Sequence, residues 1–183
     1  MKRLSPTVTL VVGLILGGLV TYAGLHVGGR LAPRPERPDL LLTLGQTVDA
    51  EQRRIDLLIA EGRDAEAIAA LEALRGGPWP EGGAGGATAV ILRHDVYGQL
   101  LRLRLDHPKV DARTPDELLA IADAGLGPEA ATIEANAFTA RLIAIRGEIL
   151  ESLGRDDEAL SAYEKALDIN RALLQRALGE GGM

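Results

Sequence analysis

The sequence predicts an all-α protein: one N-terminal transmembrane helix followed by a helical domain. Three observations carry that prediction. Only five of 183 residues are aromatic (Tyr22, Trp79, Tyr97, Phe138, Tyr163), few for a β-sandwich or barrel, while the helix formers Ala, Leu, Glu and Arg dominate. No stretch of useful length alternates apolar and polar residues with period two. The apolar residues are also concentrated at the start, where Val8 to Val27 reads VTLVVGLILGGLVTYAGLHV without a charge.

That opening segment is the first element. Twenty helical residues at about 1.5 Å each span the roughly 30 Å hydrocarbon core of a bilayer. Eleven of them are Val, Leu or Ile, which together favour insertion by about 3 to 7 kcal/mol. Ser5 and Pro6 suit a helix start, as N-cap and first-turn proline. Arg30 and the prolines of LAPRPERP at 31–38 end it. A cleaved signal peptide is the competing reading, because Lys2 and Arg3 precede the run and Thr21-Tyr22-Ala23 weakly resembles a cleavage site. The apolar run continues past that site, so a retained anchor over 1–30 and a Pro/Arg-rich linker over 31–38 are expected.

Small residues recur on this helix at Gly13, Gly17, Thr21, Gly24 and Gly28, in intervals of 4, 4, 3 and 4 that form one stripe. Such a stripe admits a second helix backbone at close range, which points to membrane-protein partners packed against the anchor. His26 near one end could ligate a cofactor, although a histidine there more often meets headgroups and water. No cofactor is otherwise expected. The basic flanks Lys2, Arg3 and Arg30, Arg34, Arg37 nearly balance. A short basic N-terminus retained in the cytoplasm gives a single-pass protein of a bacterial inner membrane, with its soluble domain in the periplasm.

Residues 39–183 make the helical domain. The first 37 residues carry a net charge of +4, so the other 146 carry -10. An acidic domain of this kind excludes a general nucleic-acid binder and is held off an anionic lipid surface. A first helix is expected from Asp39 to about Glu61, with Leu41, Leu44, Val48, Ile55 and Leu58 on one face. Gly62 stops it, and a second helix runs from Asp64 to Leu74. The stretch 76–86, GGPWPEGGAGG, is a flexible loop with six glycines and two prolines. Trp79 within it either folds back on the core or offers an anchor to a partner. A third helix covers Thr88 to Leu105. Thr114-Pro115-Asp116-Glu117 opens a fourth with a capping-box pattern, ended by Gly125. Pro128 begins a long helix without a breaker until Gly154, and a last helix runs from Asp156 to about Leu178.

Residues 140–171, ARLIAIRGEILESLGRDDEALSAYEKALDINR, closely resemble one tetratricopeptide repeat. The resemblance implies roles for five residues. Gly147 marks the close crossing of two helices, Gly154 the turn between them, and Ala159 a tight packing point. Tyr163 fills the space between repeats, and Ala166 closes the second helix. Arg171 stands where the family has a terminal proline and Ile143 where it has tryptophan, so the last helix is expected to continue as a solvating cap. A weaker copy lies at 55–74, with Gly62, Ala67 and Leu71 at the same offsets. One such repeat cannot bury its own apolar face. Three hairpins, over 39–74, 88–124 and 128–178, are therefore expected to stack.

By the same resemblance, Arg141, Ala144, Glu148 and Glu151 of the last unit face a groove that takes a protein or peptide, with Trp79 as a further partner anchor. No catalytic or metal site is expected. His26, His94 and His107 lack zinc-ligand spacing, and no nucleophile elbow or phosphate loop is present. Asp156, Asp157 and Glu158 sit in a helix first turn, where acids complement the dipole. The expected function is a membrane-anchored scaffold, an accessory or assembly subunit of a larger membrane complex. The alternatives are a periplasmic chaperone-like adaptor associated with protein translocation or cytochrome c maturation, and a cofactor-binding subunit through His26.

Overall fold

A computed structural model describes residues 38–77, 79–80 and 86–180. The apolar segment 8–27, with its glycine stripe and His26, lies outside the described residues, as does the tail after residue 180. Among the described residues there are six α-helices and no strand. No described helix is long and apolar enough to cross a membrane. The helices are α1 (Pro38–Ala60), α2 (Asp64–Arg75), α3 (Gly86–Asp106), α4 (Pro115–Leu126), α5 (Ala137–Ser152) and α6 (Asp156–Glu180). They pair in chain order as three hairpins, and α3 also packs on α1, α2 and α5.

The first and third hairpins turn in the same way. Gly62 and Gly154 take φ of +71° and +68°, a left-handed conformation that costs glycine nothing. In each turn the glycine N–H and the next N–H donate back into the finished helix. Gly62 donates to the Ile59 carbonyl and Arg63 to that of Leu58; Gly154 donates to Glu151 and Arg155 to Leu150. This paired pattern is the Schellman motif. Arg63 and Arg155 then each reach forward three residues to a glutamate, Glu66 and Glu158.

The middle hairpin is connected differently, through residues 107–114. Its second helix, α4, opens on the capping box that the sequence signals. The Thr114 hydroxyl accepts from the Glu117 amide at 3.3 Å, and the Glu117 carboxylate accepts from the Thr114 amide at 2.8 Å. The helix ends at Leu126, with Gly127 at φ +55° as its cap. Gly125 is therefore not the terminator. It is buried against Tyr97, whose Cδ1 would lie 2.4 Å from any Cβ placed there.

The single long helix expected from Pro128 to Gly154 is replaced by a 3₁₀ turn at Pro128–Ala131 and a separate α5. Asn136 takes extended dihedrals and its side chain accepts from the Thr139 amide at 2.9 Å, so it restarts the helix at Ala137. An asparagine among helix formers is an inconspicuous signal, and here it decides the boundary. The third helix begins at Gly86, two residues before Thr88.

Two apolar clusters share α3. One joins Val48, Ile55 and Leu58 of α1 and Ile68 and Leu71 of α2 to Val96, Leu100 and Leu103 of α3. The other joins Tyr97 and Leu101 of α3 to Leu118 and Leu119 of α4, Leu142, Ile145 and Ile149 of α5, and Ala159 of α6. With neighbours on several sides, α3 buries five residues in a row, His94 to Gly98. That burial explains why its sequence lacks a clean one-sided stripe.

Candidate partner-binding groove

The first helices of the three hairpins, α1, α3 and α5, lie side by side and present one shared face. Asp95 of α3 ties them together. Its side chain is only 8% exposed, accepts from Gln52 Nε2 of α1 at 2.5 Å and from Gln99 at 3.2 Å, and pairs with the Arg141 guanidinium of α5. Gly98 makes room for that arginine, since a Cβ there would meet Arg141 Nε at 3.1 Å. One charge thus spans three hairpins. Two turns further on, Arg102 donates to Glu148 of α5 at 2.5 Å and lies 3.7 Å from Asp106.

Between these bridges a groove of about 410 Å³ opens, lined by Asp56 and Ile59 of α1, Gln99, Arg102 and Asp106 of α3, and Arg141 of α5. Its two arginines already face acids of the same chain. Among the described residues Asp56 makes no ion pair, so the groove leaves one carboxylate available. At its end His107 Nδ1 stands 3.1 Å from Asp64.

The resemblance assigned four α5 residues to a groove, and the structure divides them. Arg141 lines the groove, and Glu148 holds Arg102 at its edge. Ala144 packs instead with Leu126 and Ile169 against the cluster of Ile143, Ala162 and Ala166. Glu151 turns to α6 and accepts from the Tyr163 hydroxyl at 3.0 Å. Burial and that carboxylate together push the Tyr163 phenol up to about 12. Tyr163 sits on Gly147 of its own hairpin, where a Cβ would meet Cε1 at 2.8 Å, and packs on the cluster that this hairpin shares with α3 and α4. Ala159 and Ala166 are buried and Gly154 makes the turn. Trp79 is partly buried on the first cluster, and its indole N–H donates to the Arg75 carbonyl at 3.0 Å. It lines a separate, mainly apolar cavity of about 400 Å³ with Leu40, Leu44 and Leu74.

Sequence reasoning missed Asp95, Gln52, Gln99 and Arg102. The available signal was the run of charged and polar residues within the otherwise apolar α3. The same helix holds two more buried polar groups. The Arg104 side chain is 1% exposed and donates to Glu72 at 2.5 Å and to Asp111 at 2.7 Å. Burial works against the Glu72 carboxylate, but hydrogen bonds from Arg75 and Arg104 outweigh it and hold Glu72 below the usual carboxylate range. His94 is fully buried. The Thr139 hydroxyl, which donates to Asn136 Oδ1 at 3.0 Å, lies 2.7 Å from the His94 Nδ1, and the Leu126 carbonyl lies 3.3 Å from its Nε2. Burial pushes this imidazole below its ordinary range, and the nearby Arg93 charge pushes the same way. His94 therefore locks α3 to α5. Among the described residues no group of three His, Asp or Glu side chains could hold a metal ion.

A family model described as tetratricopeptide repeat matches residues 140–173, which cover most of α5 and most of α6. No curated protein and no solved structure matched the chain.

Proposed function

We propose, for a chain that carries a tetratricopeptide repeat at 140–173, a non-catalytic scaffold in which α1, α3 and α5 hold a protein segment. The observation that supports this reading is the groove between the Asp95 and Arg102 bridges. Its walls are fixed by ion pairs between hairpins, so it is preorganised and binding costs little ordering. Its arginines pair with acids of the same chain, while Asp56 has no ion pair among the described residues, and Ile59 gives an apolar floor. A segment bearing one Lys or Arg beside an aliphatic residue complements it. The charge of -10 on residues 38–183 steers such basic partners toward the domain.

The finer reading rests on the sequence. The charge-free run at 8–27 anchors the chain in a bacterial inner membrane and holds the domain in the periplasm. Its stripe of Gly13, Gly17, Thr21, Gly24 and Gly28 packs on a helix of the complex that the domain serves. The protein then acts as an accessory or assembly subunit, retained by two contacts at once.

The test is purification of the full chain in mild detergent, with mass spectrometry of what accompanies it. A partner at fixed ratio is expected with the wild type and with a Glu61→Gln control. Asp56→Lys is expected to release it at least about tenfold more readily, since it sets a like charge against the partner's cation. Recovery of the free chain alone, or the same partner at the same ratio with Asp56→Lys, would overturn the reading.

A further inference from the structure

The last helix presents a stacking face of a kind that the other hairpins keep covered. The fifth residue of each second helix is large and aliphatic: Ile68 in α2, Leu119 in α4 and Leu160 in α6. Ile68 is 5% exposed and Leu119 7%, because the following first helices, α3 and α5, pack onto them. Leu160 is 59% exposed. From it a stripe continues along α6 through Leu167, Leu174 and Leu178, which are 50%, 60% and 70% exposed. The intervals of 7, 7 and 4 keep the four leucines on one side, over about 27 Å of helix. A solvating cap would carry polar residues at these positions. The α6 extension carries leucine instead, so it is a surface shaped for another helix and covered by no described element.

Two charges on the same stripe select that helix. Glu164 lies between Leu160 and Leu167, and Arg171 between Leu167 and Leu174. We infer that the occupant is α6 of a second copy, packed antiparallel about a two-fold axis near Leu167. In that arrangement Leu160 meets the partner's Leu174, and Glu164 meets the partner's Arg171, each contact made twice by symmetry. A parallel pair would instead stack Glu164 on the partner's Glu164, a like-charge contact that opposes assembly. Arg171 is free to move, since its own contact is an exposed pair with Asp168 at 3.2 Å. This interface is separate from the groove and leaves it open.

The chain has no cysteine, so single introduced thiols report on the contact directly. The full chain in mild detergent is expected to sediment as a dimer at about 10 µM. Leu167→Cys should form a disulfide-linked dimer on oxidation. A mixture of Glu164→Cys and Arg171→Cys chains should cross-link far more than Glu164→Cys chains with each other. Leu167→Glu with Leu174→Glu should raise the dimer dissociation constant at least about tenfold. Helical content should hold, and so should Tm when both proteins are compared at a dilution where the wild type is monomeric, because both leucines are exposed. Arg171→Glu should weaken the dimer, and adding Glu164→Arg should restore it. A monomeric wild type overturns the inference, as does a dimer indifferent to these leucines, which would place the contact elsewhere, or dominant cross-linking between Glu164→Cys chains.

Discussion

In the last hairpin the closest approach sets a glycine of the first helix, Gly147, under an aromatic of the second, Tyr163. In the middle hairpin the glycine is on the second helix, Gly125, and the aromatic, Tyr97, is on the first. Both solve one problem, bringing two helix axes close by removing a Cβ beneath a flat ring, and they solve it with opposite assignments. The hairpins also close differently. The last uses three residues around Gly154, whereas the middle uses the longer 107–114 segment, held to α3 by Asp111 on the buried Arg104. Hairpin geometry thus tolerates a reversal of the residues that build it, while a residue pattern does not. The match to the tetratricopeptide repeat falls on the hairpin with glycine first and aromatic second.

The largest effect that separates the two hairpins is expected at Arg104. Its removal empties a sealed site in the core and takes one arginine from each of Glu72 and Asp111, which keep Arg75 and Arg113, so the loss is expected at the lower end of the about 3 to 5 kcal/mol that a broken buried pair costs. Arg104→Ala should lower the urea midpoint accordingly. Arg146→Ala, which removes a partly exposed pair from the last hairpin to Asp123 of α4, should cost under about 1 kcal/mol. Equal losses would show that the buried charge does not set the middle hairpin apart.

Next come the two glycines. Gly125→Ala drives a methyl to within 2.4 Å of Tyr97 Cδ1 and 3.0 Å of its Cβ, so the clash reaches the root of a buried side chain. Gly147→Ala meets only the ring of the less buried Tyr163, at 2.8 Å and beyond. Overpacking costs about 1 to 3 kcal/mol, with Gly125→Ala expected near the top of that range and Gly147→Ala near the bottom. Thermal unfolding of both variants checks the order. A reversed order would mean that the last hairpin is the tighter one.

These contrasts also explain how much was legible in the sequence. The first and last hairpins were readable because their turns repeat Gly-Arg-Asp-x-Glu-Ala, and that string dictates a left-handed glycine, a first-turn acid and a small contact residue. Capping at Thr114 was readable for the same reason, since it is local. The start of α5 was not, because Asn136 acts as a cap only once Gly127 and the 3₁₀ turn have stopped the preceding chain. Asp95 was hidden more deeply. Its role exists only when α1 and α5 arrive on either side of α3, and no local pattern encodes that meeting.

His94 ties the middle hairpin to the last and gives their junction a pH dependence. Its folded pKa is depressed below 6.5, so the unfolded chain takes up a proton first as the pH falls. The contribution is therefore present above about pH 6.5 and is lost as the pH drops below it toward the folded value. Glu129, near the ring, offsets part of this effect, and Arg93 adds to it. Urea midpoints from pH 7.5 to 5.5 should decline, and His94→Gln should flatten that slope. An unchanged slope in the variant would mean that other groups carry it.

The smallest expected effect tests what the outer hairpins share. Around Gly62 and Gly154 there is open space for a Cβ, so an added methyl meets nothing and only the backbone resists it. Both φ values are left-handed, at +71° and +68°, and an L-residue there costs about 1 kcal/mol. Gly62→Ala and Gly154→Ala should therefore destabilise by nearly equal amounts, although only the second lies in the segment that matches the repeat. Asparagine, which tolerates this region, should recover part of the loss at either site. Equality would make the first hairpin the same structural unit as the last, written with fewer of its marker residues. A clearly larger loss at Gly154 would mean that the turn is rigidly held only where α5 and α6 continue on both sides of it.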